Sequence, residues 1–198
     1  MISITVAGKS FSIIRLNELS DNDEFSAVKN IISDFECPLN DEVEEFLKYN
    51  ALDFSVRNQA VSYLIFYDDK FVAYFTLANK LLQVQKDKIS KTVLKRLLRN
   101  AEDTGEDFLN VPAILVAQLG KNYNNGNNKC IDGEELLCII NYFVKSVQSL
   151  IGGAVYFLEC DSDKNKVIKF YEDNGFVLFS SRKTKSKKTK LLQFMKKI

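Results

Sequence analysis

The sequence predicts a single α/β domain over residues 1–198, built on a mixed, mostly antiparallel sheet of about six or seven strands flanked by helices. Three observations predict this fold class. The length suits one domain. Alternating or wholly apolar segments typical of strands are interspersed with segments of helical periodicity. The second half runs strand, loop, helix, strand, helix, strand, an order that implies a right-handed crossover between parallel strands.

The first 54 residues predict a strand or hairpin over 2–16 and then two amphipathic helices. The first helix ends at Cys37-Pro38 and carries apolar residues at helical spacing, namely Phe25, Val28, Ile32 and Phe35. In the second helix, Asp41 with Glu44 three positions later resembles a capping box.

The remaining elements include a predicted β-hairpin and the run of the second half. Residues 61–67 and 71–77 are dense in β-forming residues and flank a tight turn, so we expect them to pair. The next predicted elements are a basic helix from Ser90, a polar loop over 101–110, a strand over 112–119 and a loop rich in asparagine and glycine. They are followed by a helix that ends at Gly152-Gly153, a strand over 155–160, a helix over about 164–174 and a last hairpin with a basic tip at 182–190.

The absence of histidine excludes several kinds of site. Without it there is no Ser-His-Asp or Cys-His nucleophile, no His-ligated metal and no His general base. The four cysteines form no C-x-x-C pair, so we expect neither a metal site nor a dithiol redox site. With no signal peptide and no apolar run of about 18 residues, we expect a cytoplasmic protein that does not bind membranes.

Charge is distributed unevenly along the chain. Residues 18–54 carry eleven acids and two lysines, whereas residues 182–198 carry eight bases and no acid. A Lys-rich hairpin tip usually blunts an edge strand. It could instead bind RNA phosphates, with the basic helix that carries Lys88, Lys91, Lys95, Arg96 and Arg99 extending the same surface.

The loop after residue 119 has two interpretations. Its small residues and the following helix N-terminus suit a diphosphate, and Lys121 and Lys129 add positive charge. The alternative is a surface loop with a helix cap at Asp132, which Glu135 three residues later also fits.

Four segments resemble the GNAT family of N-acetyltransferases, and in particular its toxin branch that modifies aminoacyl-tRNA. They are the strand 113–119, the loop and helix 132–137, the strand 155–159 and the F-Y-x-x-x-G-F signature over 170–176. The signature is the most specific of them. The segments 35–37 and 45–47 add to the resemblance, which covers the chain from about 25 to 180.

The resemblance implies a sheet whose two parallel strands, 112–119 and 154–160, splay apart to hold acetyl-CoA as co-substrate. An amine would attack the thioester directly. The implied cofactor-binding residues are Gln118, Leu119, Gly120, Lys121, Asn128, Lys129, Cys130, Ile131, Asp132, Gly133 and Glu134. The family's loop reads Q/R-x-x-G-x-G/A. This chain has Asn128 at the first position and Ile131 in place of the middle glycine. An alternative register of the loop is centred on Gly126.

The implied catalytic residues are Tyr171 and Glu159. Tyr171 matches the tyrosine that protonates the departing CoA thiolate, although it could be a packing residue. Glu159, or Asp161, could act as general base directly or through water, but Glu159 could equally be a structural carboxylate and no dedicated base is required.

The predicted function is therefore acetyl transfer from acetyl-CoA to a primary amine. One alternative is a toxin-like enzyme acting on aminoacyl-tRNA, with an antitoxin partner. The other alternative is a non-catalytic module that binds CoA or a protein. A homodimer would suit the unpaired edge of the last hairpin.

Overall fold

A computed structural model describes residues 1–19, 22–99, 101–103, 105, 107–183 and 189–198. These residues form nine strands, β1 to β9: Ile2–Val6, Lys9–Arg15, Val61–Tyr67, Lys70–Gln85, Glu102–Asp103, Phe108–Lys121, Val155–Asp161, Val177–Lys183 and Lys190–Lys197. They also form six α-helices, α1 to α6: Asn22–Ser33, Asp41–Glu45, Ala51–Val56, Lys91–Leu97, Gly133–Ile151 and Asn165–Asp173.

The predicted mixed, mostly antiparallel sheet with flanking helices is confirmed, but with more strands than the six or seven expected. The N-terminal segment folds as a hairpin of two strands, β1 and β2. The stretch predicted as a polar loop over 101–110 contributes the two-residue strand β5, which pairs with β6. Strand β4 is also longer than predicted, because Leu82 and Val84 alternate inward beyond residue 77.

The chain groups into two compact units. One unit contains Met1–Ala78 and Ala117–Tyr142, and the other contains Asn79–Val116 and Phe143–Ile198. Strands β4 and β6 contribute residues to both units. A single domain over the whole chain therefore stays a prediction.

The first unit contains the antiparallel strands β1-β2-β3-β4 and the helices α1 to α3. Val28 and Ile32 of α1 are buried in the core of this unit as predicted, but the helix ends at Ser33 and not at Cys37, so Phe35 packs in that core from beyond the helix. A π-helical turn, Phe46–Asn50, joins α2 to α3. The core of this unit is a cluster of buried side chains: Leu16, Val28, Ile32, Phe35, Cys37, Val43, Leu47, Ala51, Leu64, Phe71 and Tyr74.

The capping box predicted at Asp41 is wrong. The N-cap residue of α2 is Asn40, and its side chain accepts no hydrogen bond from the helix. The Glu44 carboxylate accepts a hydrogen bond from the backbone N–H of Cys37 at 2.7 Å and forms an ion pair with Lys48 at 2.8 Å. These contacts lower the pKa of Glu44 below its ordinary value, and they use the carboxylate that the box would have needed.

The second unit contains the strand order β6-β7-β9-β8. The predicted crossover is confirmed, because β6 and β7 pair in parallel from Ala113↔Val155 to Val116↔Leu158 and α5 connects them along the chain. Strand β6 continues to Lys121 and β7 to Asp161, beyond the last parallel pair. Strand β9 pairs antiparallel with both β7 and β8.

No helix in the described part of the chain is long and apolar enough to cross a membrane.

Candidate active site

In the first unit, the end of β6 carries the predicted residues Gln118, Leu119 and Gly120, all partly buried. Gly120 faces the α2 helix at close range. A Cβ atom on Gly120 would lie 2.6 Å from Val43 Cγ1, nearer than real Cβ atoms approach. The absence of a side chain therefore allows this backbone segment and the helix to pack together.

Asn122 directly follows β6 and joins three chain segments. Its Oδ1 accepts the backbone N–H groups of Glu36 and Asn124, each at 3.1 Å, and its Nδ2 donates to the Phe71 carbonyl at 2.9 Å. Asn122 is 2% exposed. Asn122 could not be singled out from the sequence, because nothing local distinguishes it from the other asparagines of the loop.

The loop after Asn122 is ordered by its own hydrogen bonds. A 3-10 helix spans Asn124–Lys129, and positive φ angles at Asn125 (52°) and Gly126 (73°) kink it. Glycine adopts this left-handed conformation without steric cost. The Lys121 ammonium donates to the carbonyl oxygens of Asn128 at 3.1 Å and Ile131 at 3.2 Å, which ties the loop to the end of β6.

The start of α5 has the capping box that the alternative interpretation predicted. The Glu135 backbone N–H donates to Asp132 Oδ1 at 2.7 Å, and the Asp132 N–H donates to Glu135 Oε2 at 2.9 Å. Lys9 from β2 pairs with the same Glu135 carboxylate at 2.9 Å and donates to the Cys130 carbonyl at 3.3 Å. The Glu135 charge is therefore balanced within the protein.

These residues fit a diphosphate in part. Exposed Lys129 and partly buried Lys121 supply positive charge. The N–H groups of Gly133 and Glu134 belong to the first helical turn, where an α-helix offers them no acceptor. The carboxylate of Glu135 does not repel an anionic ligand, because Lys9 neutralises its charge. The neighbouring Glu134 is exposed.

In the second unit, Tyr171 lies on α6 and is 5% exposed. Its ring packs against Phe176 and Phe194, with centroid distances of 5.6 and 5.9 Å. Burial raises the pKa of the Tyr171 phenol far above its ordinary value. The hydroxyl therefore remains protonated at neutral pH, as a proton donor requires.

Glu159, on β7, is held by side chains from the last hairpin. Arg182 donates to it from Nε at 2.8 Å and Nη2 at 2.6 Å, and Gln193 Nε2 donates at 2.7 Å. Gln193 stands directly opposite Glu159 in the β7–β9 register. This arrangement favours the structural alternative for Glu159. Its neighbour Asp161 accepts a hydrogen bond from Thr189 at 3.2 Å.

The structure thus brings the predicted loop residues together in one cluster of the first unit, whereas Glu159 and Tyr171 belong to the second unit. In the predicted basic tip, residues 184–188 lie outside the described residues, as does the side chain of Arg96. Among the residues that are described, no group of three or more His, Cys, Asp or Glu side chains could hold a metal ion.

Comparison with known proteins identifies the fold. No protein-family model matches the chain, and no curated protein matches it in sequence. Among solved structures, the chain is similar to AtaT complexed with acetyl-methionyl-tRNAfMet, at 16% identity and a TM-score of 0.60, with 92% of this chain and 93% of that chain covered. The chain is also similar to a tyrosine-to-phenylalanine variant of KacT, at 16% identity and a TM-score of 0.63, with 93% of this chain and 94% of that chain covered.

A third similar structure, AtaTR bound with acetyl-CoA, gives 13% identity and a TM-score of 0.57, covering 94% of this chain and 92% of that chain. Likenesses at this level of identity establish the fold. The chain therefore has the fold of these structures, and the predicted GNAT-type fold class is confirmed.

Proposed function

We propose that the chain is an acetyl-CoA-dependent N-acetyltransferase whose acceptor is the amino group of an aminoacyl-tRNA. One observation carries this proposal: nearly the whole chain shares its fold with structures that hold acetyl-methionyl-tRNA and acetyl-CoA. The similarity covers more than nine-tenths of both chains in each pair.

Acetyl-CoA would be held by the end of β6 and the loop that follows it. Backbone groups at Gln118, Leu119 and Gly120 would orient the thioester, as donors fixed in a strand do without reorganisation. The diphosphate contacts are assigned to the loop and the start of α5, namely Lys121, Asn128, Lys129, Cys130, Ile131, Asp132, Gly133 and Glu134. When bound, acetyl-CoA supplies an activated acyl group.

Tyr171 is assigned the role of general acid. The acceptor nitrogen bonds to the acetyl carbon while the bond from that carbon to sulfur breaks. Tyr171 then provides the phenolic proton that neutralises the released thiolate. Burial keeps the phenol protonated at neutral pH, and donation would require the thiolate to lie within hydrogen-bond reach of the hydroxyl.

Glu159 is the proposed acceptor of the proton that the amine loses, with Arg182 and Gln193 fixing its orientation. Asp161 or water is the alternative acceptor. The same hydrogen bonds favour a structural role, so Glu159→Gln is the deciding variant. Retention of turnover in that variant would remove Glu159 from the mechanism.

The comparisons support one further proposed partner, an antitoxin. One similar structure is AtaT bound to the C-terminus of the antitoxin AtaR, and another is a KacTA–DNA complex. We propose that this chain also binds an antitoxin, and that it forms a homodimer. Size measurement of the purified chain would test the dimer.

The function is tested by thermal melting with millimolar acetyl-CoA and by transfer from radiolabelled acetyl-CoA to total aminoacyl-tRNA, deacylated tRNA and small amines. We expect a rise in melting temperature, because a ligand of the folded state stabilises it. We also expect label on aminoacyl-tRNA that mild base releases as an acetylated amino acid. Label on small amines alone would contradict the tRNA acceptor, and neither melting shift nor label would contradict the enzyme.

A further inference from the structure

We infer that a groove beside α4 binds the phosphodiester backbone of RNA. The groove has a volume of about 680 Å³ and is lined by Lys91, Thr92, Lys95, Arg99 and Lys197. All five residues belong to the second unit. The inference rests on the proposed function in one respect, since it locates where the polynucleotide part of an aminoacyl-tRNA acceptor would bind.

The charge of this groove is its first distinguishing property. Four of its five lining side chains are cationic, and none is acidic. In the part of the chain that the structure describes, none of these four cations forms an ion pair. Elsewhere in the same unit cations do find partners, as Lys86 does with Asp103 at 2.6 Å. The groove therefore has uncompensated positive charge, which attracts polyanions.

The fold does not require this charge. Ser90 caps the N-terminus of α4, because its hydroxyl accepts the Val93 N–H. The helix is anchored by buried Leu97 and by partly buried Val93 and Leu94. Lys91 and Lys95 are four positions apart on the same helix, where like charges destabilise a helix. The apolar residues thus account for the packing of α4, and the lysines need another explanation.

The spacing suits a linear anion. At 1.5 Å per residue, Lys91 and Lys95 lie about 6 Å apart along the helix axis. Arg99 lies two residues after α4 ends and lines the same groove. A row of cations with a hydroxyl, here Thr92, matches the side chains that contact nucleic-acid phosphates.

The lining also favours RNA over an acidic polypeptide. A bound protein segment usually buries apolar side chains at the centre of its interface. This groove contains no aliphatic or aromatic lining residue. Phosphate contacts need only cations and hydrogen-bond donors, and these are what the groove provides.

The test measures binding of deacylated tRNA by fluorescence anisotropy over a range of salt concentrations. The variant is Lys91→Gln/Lys95→Gln. The control is Lys145→Gln/Lys166→Gln, which removes the same charge from exposed positions on α5 and α6. Melting curves establish that each variant folds. We expect the groove variant to bind at least about tenfold more weakly, with a salt slope lower by about 1.5, and the control to bind like the wild type.

Three outcomes would overturn the inference. They are equal loss in both variants, no loss in the groove variant, and competition by polyglutamate as effective as by unlabelled tRNA. The acetyl-CoA melting shift of each variant separates this inference from the proposed function. Wild-type protein that binds tRNA through the groove without an acetyl-CoA shift would keep the inference and contradict the enzyme. A normal acetyl-CoA melting shift together with unchanged tRNA binding by the groove variant would contradict the inference and keep the enzyme.

Discussion

Lys9 and Glu135 form an ion pair at the start of α5, with the lysine Nζ 2.9 Å from Oε1 and 3.0 Å from Oε2 of the carboxylate. Glu135 is 5% exposed, and a buried carboxylate needs such partners. The contact raises the pKa of Lys9 above its ordinary value. It joins the N-terminal hairpin to the helix that begins after the candidate diphosphate loop.

The capping box beside this ion pair should contribute to stability. Asp132→Ala removes the oxygen that accepts the Glu135 N–H, and we expect a loss of about 1 kcal/mol in the free energy of unfolding. Urea denaturation measures it. Asp132→Asn is the matched control, because asparagine caps equally well and should cost less than about 0.5 kcal/mol. Equal midpoints for the alanine variant and the wild type would show that the box is dispensable.

Gly120→Ala should destabilise the first unit through a clash with Val43. A Cβ at this position lies 2.6 Å from Val43 Cγ1, and overpacking of this kind costs about 1–3 kcal/mol. The double variant Gly120→Ala/Val43→Ala should be less destabilised than the sum of the single variants by at least about 0.5 kcal/mol. Additive losses in denaturation experiments would mean that the two residues do not interact.

Tyr171→Phe should lower turnover by about 10²- to 10⁴-fold, the usual contribution of general acid catalysis, with little change in acetyl-CoA affinity. Because burial raises the pKa of Tyr171, its hydroxyl keeps the proton. Turnover should therefore not fall from loss of that proton between about pH 7 and 9. Steady-state kinetics checks both points, with exposed Tyr49→Phe as control. Unchanged turnover would assign Tyr171 to packing.

Cys160 should be unreactive in the folded protein. Burial raises the pKa of its thiol from 9.0 to about 11. A raised pKa favours the neutral thiol, so at pH 8 only about one molecule in a thousand carries the reactive thiolate. Alkylation, followed by peptide mapping, should be about a hundredfold slower than in the urea-unfolded chain. Native Cys160 labelling as fast as exposed Cys138 would argue against this burial.

The raised thiol pKa also has a consequence for stability. Below about pH 8 the thiol is almost fully protonated in both the folded and the unfolded chain, so it adds little dependence on pH. Between about pH 9 and 11 the unfolded thiol ionises while the folded one does not, and stability should fall. Cys160→Ser should reduce this loss in alkaline denaturation experiments.

Local sequence patterns predicted most elements and one detail of the site. Helix α5 was predictable because Leu136, Ile140 and Val144 recur on one face and are buried. The cap at Asp132 was predictable because its partner is only three residues away. The same pattern failed at Asp41, where Glu44 bonds to Cys37, seven residues earlier, and local spacing contains no information about that competitor.

The sequence by itself determined the order of strands and helices, the GNAT-type fold, and the exclusion of histidine chemistry. The order of elements and the exclusion of histidine chemistry depend on composition and on periodicities within a few residues, whereas the GNAT-type fold was implied by the resemblance of four segments to that family. Tertiary structure alone decided which side chains share a site. Lys9 is 126 positions from Glu135, Asn122 is 86 from Glu36, and Glu159 is 34 from Gln193. Such contacts depend on strand register and chain reversal, which the packing of the whole chain determines.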